Sequence, residues 1–402
     1  MKIKMKKVLI LSEFFYPDKS STPKVLTELA EDLVSNGLEI DVICSNHSYK
    51  GNSKLNKSET LNGIKINRIS SSNLNRNSKI GRMVNYISFT FVLFIKLLFF
   101  KGYDSILVVS NPPLIPFIAY LNKLIKKKPY YYLVHDVYPD IAVEVGAIKK
   151  NSFSYNFMDK INQLAFENTE KLIVLGKDMK DVFLKKGLKE KKIKIITNWS
   201  KKYELISNKM DNKFYSEREM NETFNIVYTG NIGRFHDIET IIEIAKVAQK
   251  ELPKVKFLFV GDGFKRIELE KAIKDGVNNI IISDYQYDSS YLNVLSGADL
   301  FISTLSPRIK GLGVPSKTYS YLAAGKPIIA IMEKGTEIGD LVEEMGLGIR
   351  ADSMEINKVI EFIKQISSDE IKLNAIEEKV KRTFAEKYER KKVTNDFYHL
   401  LK

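Results

Sequence analysis

The sequence has few of the residues that build disulfide-linked or metal-bound scaffolds. It contains one cysteine, Cys44, and four histidines that lie far apart, with no His-x-x-x-His pair. A single cysteine excludes an intrachain disulfide and a cysteine-based metal cluster, and it is typical of a reducing compartment. No two aspartates stand two positions apart, so an Asp-x-Asp clamp for a metal-bound diphosphate is absent. We therefore expect no catalytic metal and no cofactor.

Acidic residues are outnumbered by basic ones, and the formal net charge is +14. Such an excess fits an anionic lipid surface or an anionic small molecule such as a nucleotide-sugar, and a lysine-rich genome would also produce it. Nucleic acid is not expected, because the basic residues are scattered and no zinc spacing or RNA-binding aromatic motif accompanies them. The apolar run near the N-terminus, VLILS at 8–12, is too short for a signal peptide and indicates a first strand.

The 402 residues repeat one pattern twice. Short apolar runs typical of buried strands alternate with amphipathic helical patterns, first from VLILS (8–12) to KIKIITN (192–198), then again from FNIVYTG (224–230). This alternation predicts an α/β protein with two tandem Rossmann-like, doubly wound domains. We expect an N-terminal domain over 1–205, a second domain over 206–385, and a helix over 386–402 that returns to the first. Ligands are expected beyond the carboxyl ends of the strands, in a cleft between the domains.

One segment departs from this alternation. Residues 83–100, MVNYISFTFVLFIKLLFF, are almost continuously apolar. Three interpretations remain open: a helix buried in the first domain, a helix lying in a membrane interface with basic neighbours facing anionic headgroups, and a membrane-spanning helix. The last fits least well, because the segment stands between strands of one sheet.

Two glycine-containing loops of the second half follow predicted strands. In YTGNIGRFHDIETI, Gly230 and Gly233 would let the backbone approach a phosphate at the start of a helix, and Arg234 could clamp diphosphate oxygens. The alternative interpretation is a tight turn with a solvated arginine that binds no ligand. The stretch FVGDGFKRIELE has a similar pair of glycines, Gly261 and Gly263, and is predicted to form a second nucleotide-facing loop. It lacks the third glycine of a dinucleotide-binding fingerprint. The next strand ends at Tyr285 and Tyr287, either of which could stack on a base or lie at the surface.

The stretch GVPSKTYSYLAAGKPII, 313–329, places a lysine at the front of a helix. Pro315 suits the first turn of this helix. Gly311 and Gly313 give the preceding loop conformational freedom. A cation at a helix N-terminus is unfavourable unless an anion binds there. Lys317 is therefore predicted to hold a phosphate, the alternative being a solvated lysine.

These motifs, together with SNPPL and HDVYPD upstream, resemble the retaining family 4 glycosyltransferases of GT-B fold. Within that family the chain most resembles the WbuB-like L-fucosamine transferases of bacterial surface-polysaccharide synthesis. The resemblance covers nearly the whole chain and implies that the first domain binds the acceptor and the second the nucleotide-sugar donor. It implies the following donor-site residues: Gly230, Asn231, Gly233, Gly261, Gly263, Tyr285, Gly311, Gly313, Val314, Pro315, Ser316 and Ser320.

The resemblance also assigns the reacting groups and exposes departures. His135 and Asp136, at the end of a predicted strand, would lie by the donor sugar, while Arg234 and Lys317 would stabilise the leaving diphosphate. Acceptor-side residues would be Asp18, Ser21, Thr22 and Lys177. Two glutamates common in the family are replaced here by Leu312 and Ser320, and a common Gly-Gly loop is replaced by DKSSTPK (18–24).

The expected reaction is sugar transfer from a UDP-sugar to a polyprenyl-diphosphate-linked saccharide with retained configuration and without metal. The enzyme would be cytoplasmic and peripherally associated with the inner face of the cell membrane. Two alternatives are open: a UDP-sugar 2-epimerase of the same fold, and a catalytically inactive nucleotide-binding subunit, which the serine at position 320 favours.

Overall fold

The described residues of the computed structural model, 5–48, 54–76, 78–205 and 209–402, fall into two compact units. The first comprises the chain through Asn198, Gly311–Gly313 and Lys391–Lys402. The second comprises Trp199–Lys310 and Val314–Arg390. The unit boundaries thus lie at 198/199 and 390/391, where the sequence predicted 205/206 and 385/386. Residue 206, the predicted start of the second domain, lies outside the described residues.

Within the described ranges, the sheet of the first unit has eight strands in the order β3-β4-β2-β1-β5-β6-β7-β8. All neighbouring strands pair in parallel except β3 and β4. The strands are β1 (Lys7–Leu11), β2 (Glu39–Ser45), β3 (Ser58–Leu61), β4 (Ile64–Ile69), β5 (Ser105–Val109), β6 (Tyr130–Leu133), β7 (Lys171–Val174) and β8 (Ile193–Ile195). The helices are α1 (Ser21–Ser35), α2 (Lys79–Phe99), α3 (Ile115–Lys126), α4 (Asp140–Glu144), α5 (Phe153–Asn168) and α6 (Lys177–Lys185).

The second unit has a parallel sheet that, in the part of the chain described, runs β11-β10-β9-β12-β13-β14. Its strands are β9 (Phe224–Thr229), β10 (Val255–Val260), β11 (Ile280–Ser283), β12 (Leu300–Thr304), β13 (Ile328–Ile331) and β14 (Gly348–Ala351). Its helices are α7 (Lys213–Ser216), α8 (Ile238–Glu251), α9 (Arg266–Lys274), α10 (Asp288–Ser296), α11 (Lys317–Ala323), α12 (Glu337–Glu344), α13 (Ile356–Ser368) and α14 (Glu370–Thr383). A π-helical turn, Phe384–Tyr388, leads on to α15 (Arg390–Leu401).

The predicted α/β architecture with two parallel sheets is confirmed. The central strands of both units are apolar and fully buried because helices cover both faces of a parallel sheet. Helix α1 shows the predicted periodicity, since Leu26, Leu29, Ala30 and Leu33 are buried while Val25 is half-buried. The end of the chain belongs to the first unit, where the Thr394 hydroxyl donates to the carboxylate of Asp32 at 2.9 Å.

The antiparallel pair β3–β4 is an element that the sequence analysis missed. The strands are joined by Asn62 and Gly63, both with positive φ (47° and 85°), as a two-residue hairpin turn requires. The stretch ETLNGIKI indicates this hairpin, because Asn-Gly between alternating apolar residues is the strongest short-range hairpin signal. β4 pairs with β2, so the hairpin adds two strands at that edge of the sheet.

The apolar segment 83–100 lies almost entirely in α2, and the two sides of this helix differ in exposure. Asn85, Phe89, Leu93 and Leu97 are buried. The outer face of α2 consists of large apolar side chains between 36% and 77% exposed: Ile80, Met83, Val84, Ile87, Phe91, Ile95 and Phe99. By length and composition Ile80–Phe99 could span a membrane, and only 28% of its most apolar window is buried. Simple burial in the core, one of the three interpretations, therefore does not describe this helix.

Candidate active site

Lys317, at the start of α11, contacts β9 and the loop after it, which are distant in sequence. Its Nζ is 3.4 Å from the carbonyl oxygen of Asn231, 3.5 Å from Nε2 of His236 and 3.5 Å from the centroid of the Tyr228 ring. Its Cε is 3.9 Å from the position that a Cβ on Gly230 would take. Among the described residues no carboxylate pairs with this lysine. Burial lowers the pKa of Lys317 well below its usual range.

The glycine loops after β9 and β10 are packed against each other at this point. Ile232 N donates to the carbonyl oxygen of Asp262 at 2.9 Å. A Cβ on Gly261 would lie 1.9 Å from the Gly230 carbonyl oxygen, and one on Gly263 would lie 2.5 Å from that of Ile232. Both glycines have φ near +150°. These positions therefore require glycine because the two loops approach each other closely. The predicted approach of these glycines to a nucleotide stays a prediction.

The amides of the 230–233 turn are largely used within the protein. Gly230 N donates to the Val260 carbonyl, Ile232 N to Asp262, and Gly233 N to Nδ1 of His236. The start of α8 is likewise occupied, because the Asp237 carboxylate accepts hydrogen bonds from the amide and the hydroxyl of Thr240. The sequence predicts free amides at the start of this helix that favour a phosphate, whereas the Thr240 amide there donates to Asp237. The positive charge near the turn comes from side chains.

Arg234 and Tyr285 flank the same loops. The guanidinium carbon of Arg234 lies 3.1 Å from the centroid of the exposed Phe264 ring. The hydroxyl of Tyr285 donates to the Asp262 carbonyl at 3.3 Å, and its ring stacks with that of Tyr287 at 6.2 Å between centroids. The structure thus brings Arg234 and Tyr285 next to the glycine loops.

The segment before α11 is divided between the two units. Val314, Pro315 and Ser316 precede the helix in the second unit, and α11 itself has only seven residues. Ser320, one turn into it, accepts a hydrogen bond from the hydroxyl of Tyr203 at 3.3 Å. No carboxylate stands at that place, and the side chain offers only a hydroxyl.

Gly311 and Gly313 belong to the first unit, although the sequence analysis placed both in the donor domain. A Cβ on Gly311 would lie 2.8 Å from the Asp178 carbonyl oxygen, and Gly313 forms a β-bridge with Asp136. Val137 N donates to the carbonyl oxygen of Leu312 at 2.9 Å. These glycines therefore support the loop after β6.

His135 and Asp136 follow β6 and are anchored by one side chain. The Ser110 hydroxyl accepts hydrogen bonds from both of their amides at 3.1 Å. Both residues are half-buried, while the Nε2 atom of His135 is enclosed and has no hydrogen-bond partner. Burial lowers the pKa of His135 to about 4 and raises the pKa of Asp136 to about 6. At neutral pH the imidazole is uncharged and can contact a polar ligand atom.

The predicted acceptor-side residues share the strand-end edge of the first sheet. Asp18, in the loop after β1, accepts from the Ser20 hydroxyl at 3.3 Å, and Ser21 and Thr22 begin α1. Lys177 begins α6 after β7 and is exposed. Because β1, β5, β6 and β7 are parallel neighbours, these residues and His135 lie along one edge.

Two parts of this arrangement escaped the sequence analysis. His236 and Tyr228 contact Lys317, yet nothing in the spacing of the four histidines singled out His236. The only available signal for His236 was its position inside the glycine-loop motif, three residues after Gly233.

The second part lies near β1, where the buried carboxylate of Glu13 pairs with Arg76 at 2.6 Å. Burial raises the pKa of Glu13.

Two family models match the chain. Residues 23–199 match the model described as Glycosyltransferase Family 4, and residues 223–369 match Glycosyl transferases group 1. The first part of the chain is thus similar to family 4 glycosyltransferases, and the second part is similar to group 1 glycosyltransferases. The first model lies within the first unit apart from its last residue, and the second covers the glycine loops and Lys317.

Curated relatives are likewise glycosyltransferases by name. The chain is 30% identical over 255 residues to a probable glycosyltransferase, WbjE, of Pseudomonas aeruginosa, covering 61% of each protein. It is 24% identical over 218 residues to WcaI of Escherichia coli, a putative colanic acid biosynthesis glycosyl transferase, covering 51% of this chain and 53% of that protein. The matches thus span about half to three fifths of the length of these relatives.

Solved structures establish the GT-B fold for the whole described chain. The sucrose-phosphate synthase of Thermosynechococcus elongatus matches with a TM-score of 0.72 at 14% identity, covering 98% of both chains. HepE of Anabaena, solved in complex with UDP, matches with a TM-score of 0.71 at 14% identity over 99% of both chains. WaaG, a glycosyltransferase involved in lipopolysaccharide biosynthesis, gives 0.70 at 14% identity over 98% of this chain and 99% of its own. At this identity the likeness concerns the fold alone.

Proposed function

We propose that the protein is a retaining glycosyltransferase that moves a sugar from a UDP-sugar to a lipid-linked saccharide in bacterial surface-polysaccharide synthesis. The observation that carries the proposal is the unpaired Lys317 beside Gly230, at the strand-end edge of a glycosyltransferase group 1 domain. A half-buried lysine without a carboxylate partner is available to pair with a bound anion, and the leaving diphosphate of a sugar donor is such an anion.

Each group has a defined task in the proposed reaction. Cleavage of the sugar–phosphate bond leaves negative charge on the diphosphate, which Lys317 stabilises, with Arg234 moving from its stack on Phe264 to reach the same oxygens. Tyr285 stacks on the uracil base, and Ser320 meets the ribose. The neutral imidazole of His135 and the side chain of Asp136, whose pKa burial raises to about 6, contact the donor sugar.

We further propose that this chemistry proceeds without a metal. Within the described ranges, no group of three or more histidine, cysteine, aspartate or glutamate side chains is arranged to hold one. The cationic side chains at the glycine loops supply the positive charge instead. In the proposed mechanism the acceptor hydroxyl attacks the face from which the diphosphate leaves, and the departing phosphate oxygen takes the hydroxyl proton, so the anomeric configuration is retained.

The membrane part of the proposal rests on the outer face of α2. Its apolar side chains are exposed at helical spacing, and transferring them into a lipid interface would contribute roughly 5 kcal/mol. Basic residues lie nearby: Lys126 donates to the carbonyls of Leu97 and Phe100, and Lys127 is exposed. Each basic residue near an anionic surface adds about 1 kcal/mol. The protein would thus bind the inner face of the cell membrane, where a polyprenyl-diphosphate-linked acceptor is embedded.

The donor sugar is proposed as an N-acetylated hexosamine or deoxyhexosamine, on the resemblance to L-fucosamine transferases. The test is to incubate the protein with a panel of UDP-sugars and polyprenyl-diphosphate-linked saccharides, with EDTA present, and to follow UDP release and product configuration by NMR. Turnover of one donor with a retained anomeric configuration is expected. Absence of both transfer and slow donor hydrolysis, with UDP still bound, would overturn the enzyme assignment in favour of a nucleotide-binding subunit.

A further inference from the structure

His236 contacts Lys317 in a way that bears on the charge of the lysine. The imidazole is buried, and its Nδ1 accepts a hydrogen bond from the Gly233 amide at 3.2 Å. In a neutral imidazole only one ring nitrogen carries a proton, so Nε2 is the protonated nitrogen. That Nε2–H faces Nζ of Lys317 at 3.5 Å. An N–H donor is matched by the lone pair of a neutral amine and opposed by an ammonium group, which is itself a donor.

The remaining charges around the pair do not reverse this preference. Lys265 faces His236 with a positive charge, and that charge is paired with Glu239 at 2.6 Å. Tyr228 presents its ring to Lys317, and burial raises the pKa of its hydroxyl well above 10. The Tyr228 ring and the Asn231 carbonyl attract an ammonium, but neither carries a formal negative charge.

Burial acts in the same direction on both groups. Burial lowers the pKa of Lys317 and also that of His236. The neighbouring Lys317 and Lys265 lower the pKa of His236 further, and a backbone hydrogen bond with Gly233 raises it without reversing the shift. Two adjacent basic groups without an acid are most stable when both are uncharged. The ligand-free pair therefore lacks the charge that a diphosphate needs.

We propose that His236 holds Lys317 as a neutral amine in the ligand-free protein, and that a bound diphosphate draws one proton from solvent onto Lys317. The amine lone pair accepts the proton, Nζ turns its N–H bonds toward the phosphate oxygens, and its contact with Nε2–H is released. His236 is thus a positioning residue that acts through Lys317. The inference rests on the proposed nucleotide site for its ligand.

The first consequence concerns the ligand-free protein and needs no nucleotide. With lysines labelled at 13Cε, the Lys317 signal is identified as the resonance missing from Lys317→Arg, and its chemical shift is followed from pH 6 to pH 11. We expect a titration midpoint well below that of the surface lysines. A midpoint in the ordinary lysine range overturns the proposal.

His236→Gln separates the role of the imidazole from that of burial. A glutamine can turn its amide oxygen toward Nζ and accept from an ammonium, so the midpoint of Lys317 should rise in this variant. If the glutamine variant does not fold, His236→Ala, in which water replaces the ring, serves the same purpose. An unchanged midpoint in a folded variant would show that His236 does not govern the lysine.

The second consequence is proton uptake on binding. Calorimetry with UDP at pH 8.5, where the diphosphate is fully ionised, is run in two buffers of different ionisation enthalpy. The wild type should take up close to one proton, Lys317→Arg none, and His236→Gln clearly less than the wild type. UDP binding without proton uptake in the wild type overturns this inference and leaves the proposed function intact. If UDP does not bind at all, the proposed function fails, and the midpoint of the ligand-free lysine still decides the state of the pair.

Discussion

The carbonyl oxygen of Gly230 lies where a side chain on Gly261 would begin. A Cβ on Gly261 would approach that oxygen to 1.9 Å, a distance that real Cβ contacts do not show. The loops after β9 and β10 are therefore in direct backbone contact, and Cε of Lys317 lies 3.9 Å from the position that a Cβ on Gly230 would take. Any change that separates the two loops should alter both stability and anion binding.

Gly261→Ala should be severely destabilising. The clash is with backbone, and φ is +152°, so the loop must move at a cost of more than about 3 kcal/mol. Gly276→Ala is a matched control, because its φ is +95° and no atom lies within 4 Å of its Cβ position, so only about 1 kcal/mol of backbone strain is expected. Thermal unfolding with and without UDP measures both effects. Equal losses in the two variants would show that the close contact is not required.

Lys317→Ala should weaken UDP binding about ten- to hundredfold, since a hydrogen bond to a charged group contributes about 1.5–3 kcal/mol. Binding to the native state raises stability by RT ln(1 + [L]/Kd), so the UDP-dependent shift in Tm should shrink accordingly. Lys364→Ala, an exposed lysine on α13, is the control and should retain the full shift. Full retention by the Lys317 variant would place the nucleotide elsewhere.

His135 and Asp136 should give the protein opposite pH dependences. Unfolded histidine binds a proton below about pH 6.5 and folded His135 only below about 4, so this residue lowers stability as the pH falls through that range. Asp136 loses its proton near pH 3.8 when unfolded and near 6 when folded, so it lowers stability as the pH rises from about 4 to 6. Each effect amounts to at most about 3 kcal/mol.

The variants His135→Gln and Asp136→Asn isolate these two effects. Between pH 4 and 6 the Tm of His135→Gln should fall with rising pH relative to the wild type, because the Asp136 contribution remains alone. The Tm of Asp136→Asn should rise over the same interval. Slopes of the same sign in both variants would contradict the burial of these groups.

The outer face of α2 should be required for membrane binding and dispensable for folding. The double variant Ile87→Ser/Phe91→Ser removes two exposed apolar side chains and is expected to reduce binding to liposomes containing anionic lipid at least tenfold, with little change in Tm. Met354→Ser/Ile371→Ser is the control, because both residues are also highly exposed but lie in the second unit. Equal liposome binding by wild type and the Ile87/Phe91 variant would remove α2 from the proposed interface.

The contacts of Lys317 show which part of a binding site is visible in one sequence. The sequence predicted that Lys317 stands at the start of a helix after Pro315 and near glycine-containing loops, because proline favours a first helical turn and glycine favours turns. Its partner His236 is 81 residues away, and no local pattern links the two. The amides of the 230–233 turn donate to the neighbouring loop and to the His236 ring, contacts that no local pattern shows.

Local periodicity determined the architecture, because short apolar runs alternating with amphipathic helices can bury their surface only as parallel sheets covered by helices. It also determined which loops lie at the strand ends, and hence where the glycines, His135 and Lys317 would be found. Tertiary structure alone decided the orientation of α2, since a helix that is apolar all round carries no pattern to show which side meets the sheet. Tertiary structure alone also decided that His236 contacts Lys317 and that Gly311–Gly313 belong to the first unit. Both features depend on contacts between segments that are distant in the chain.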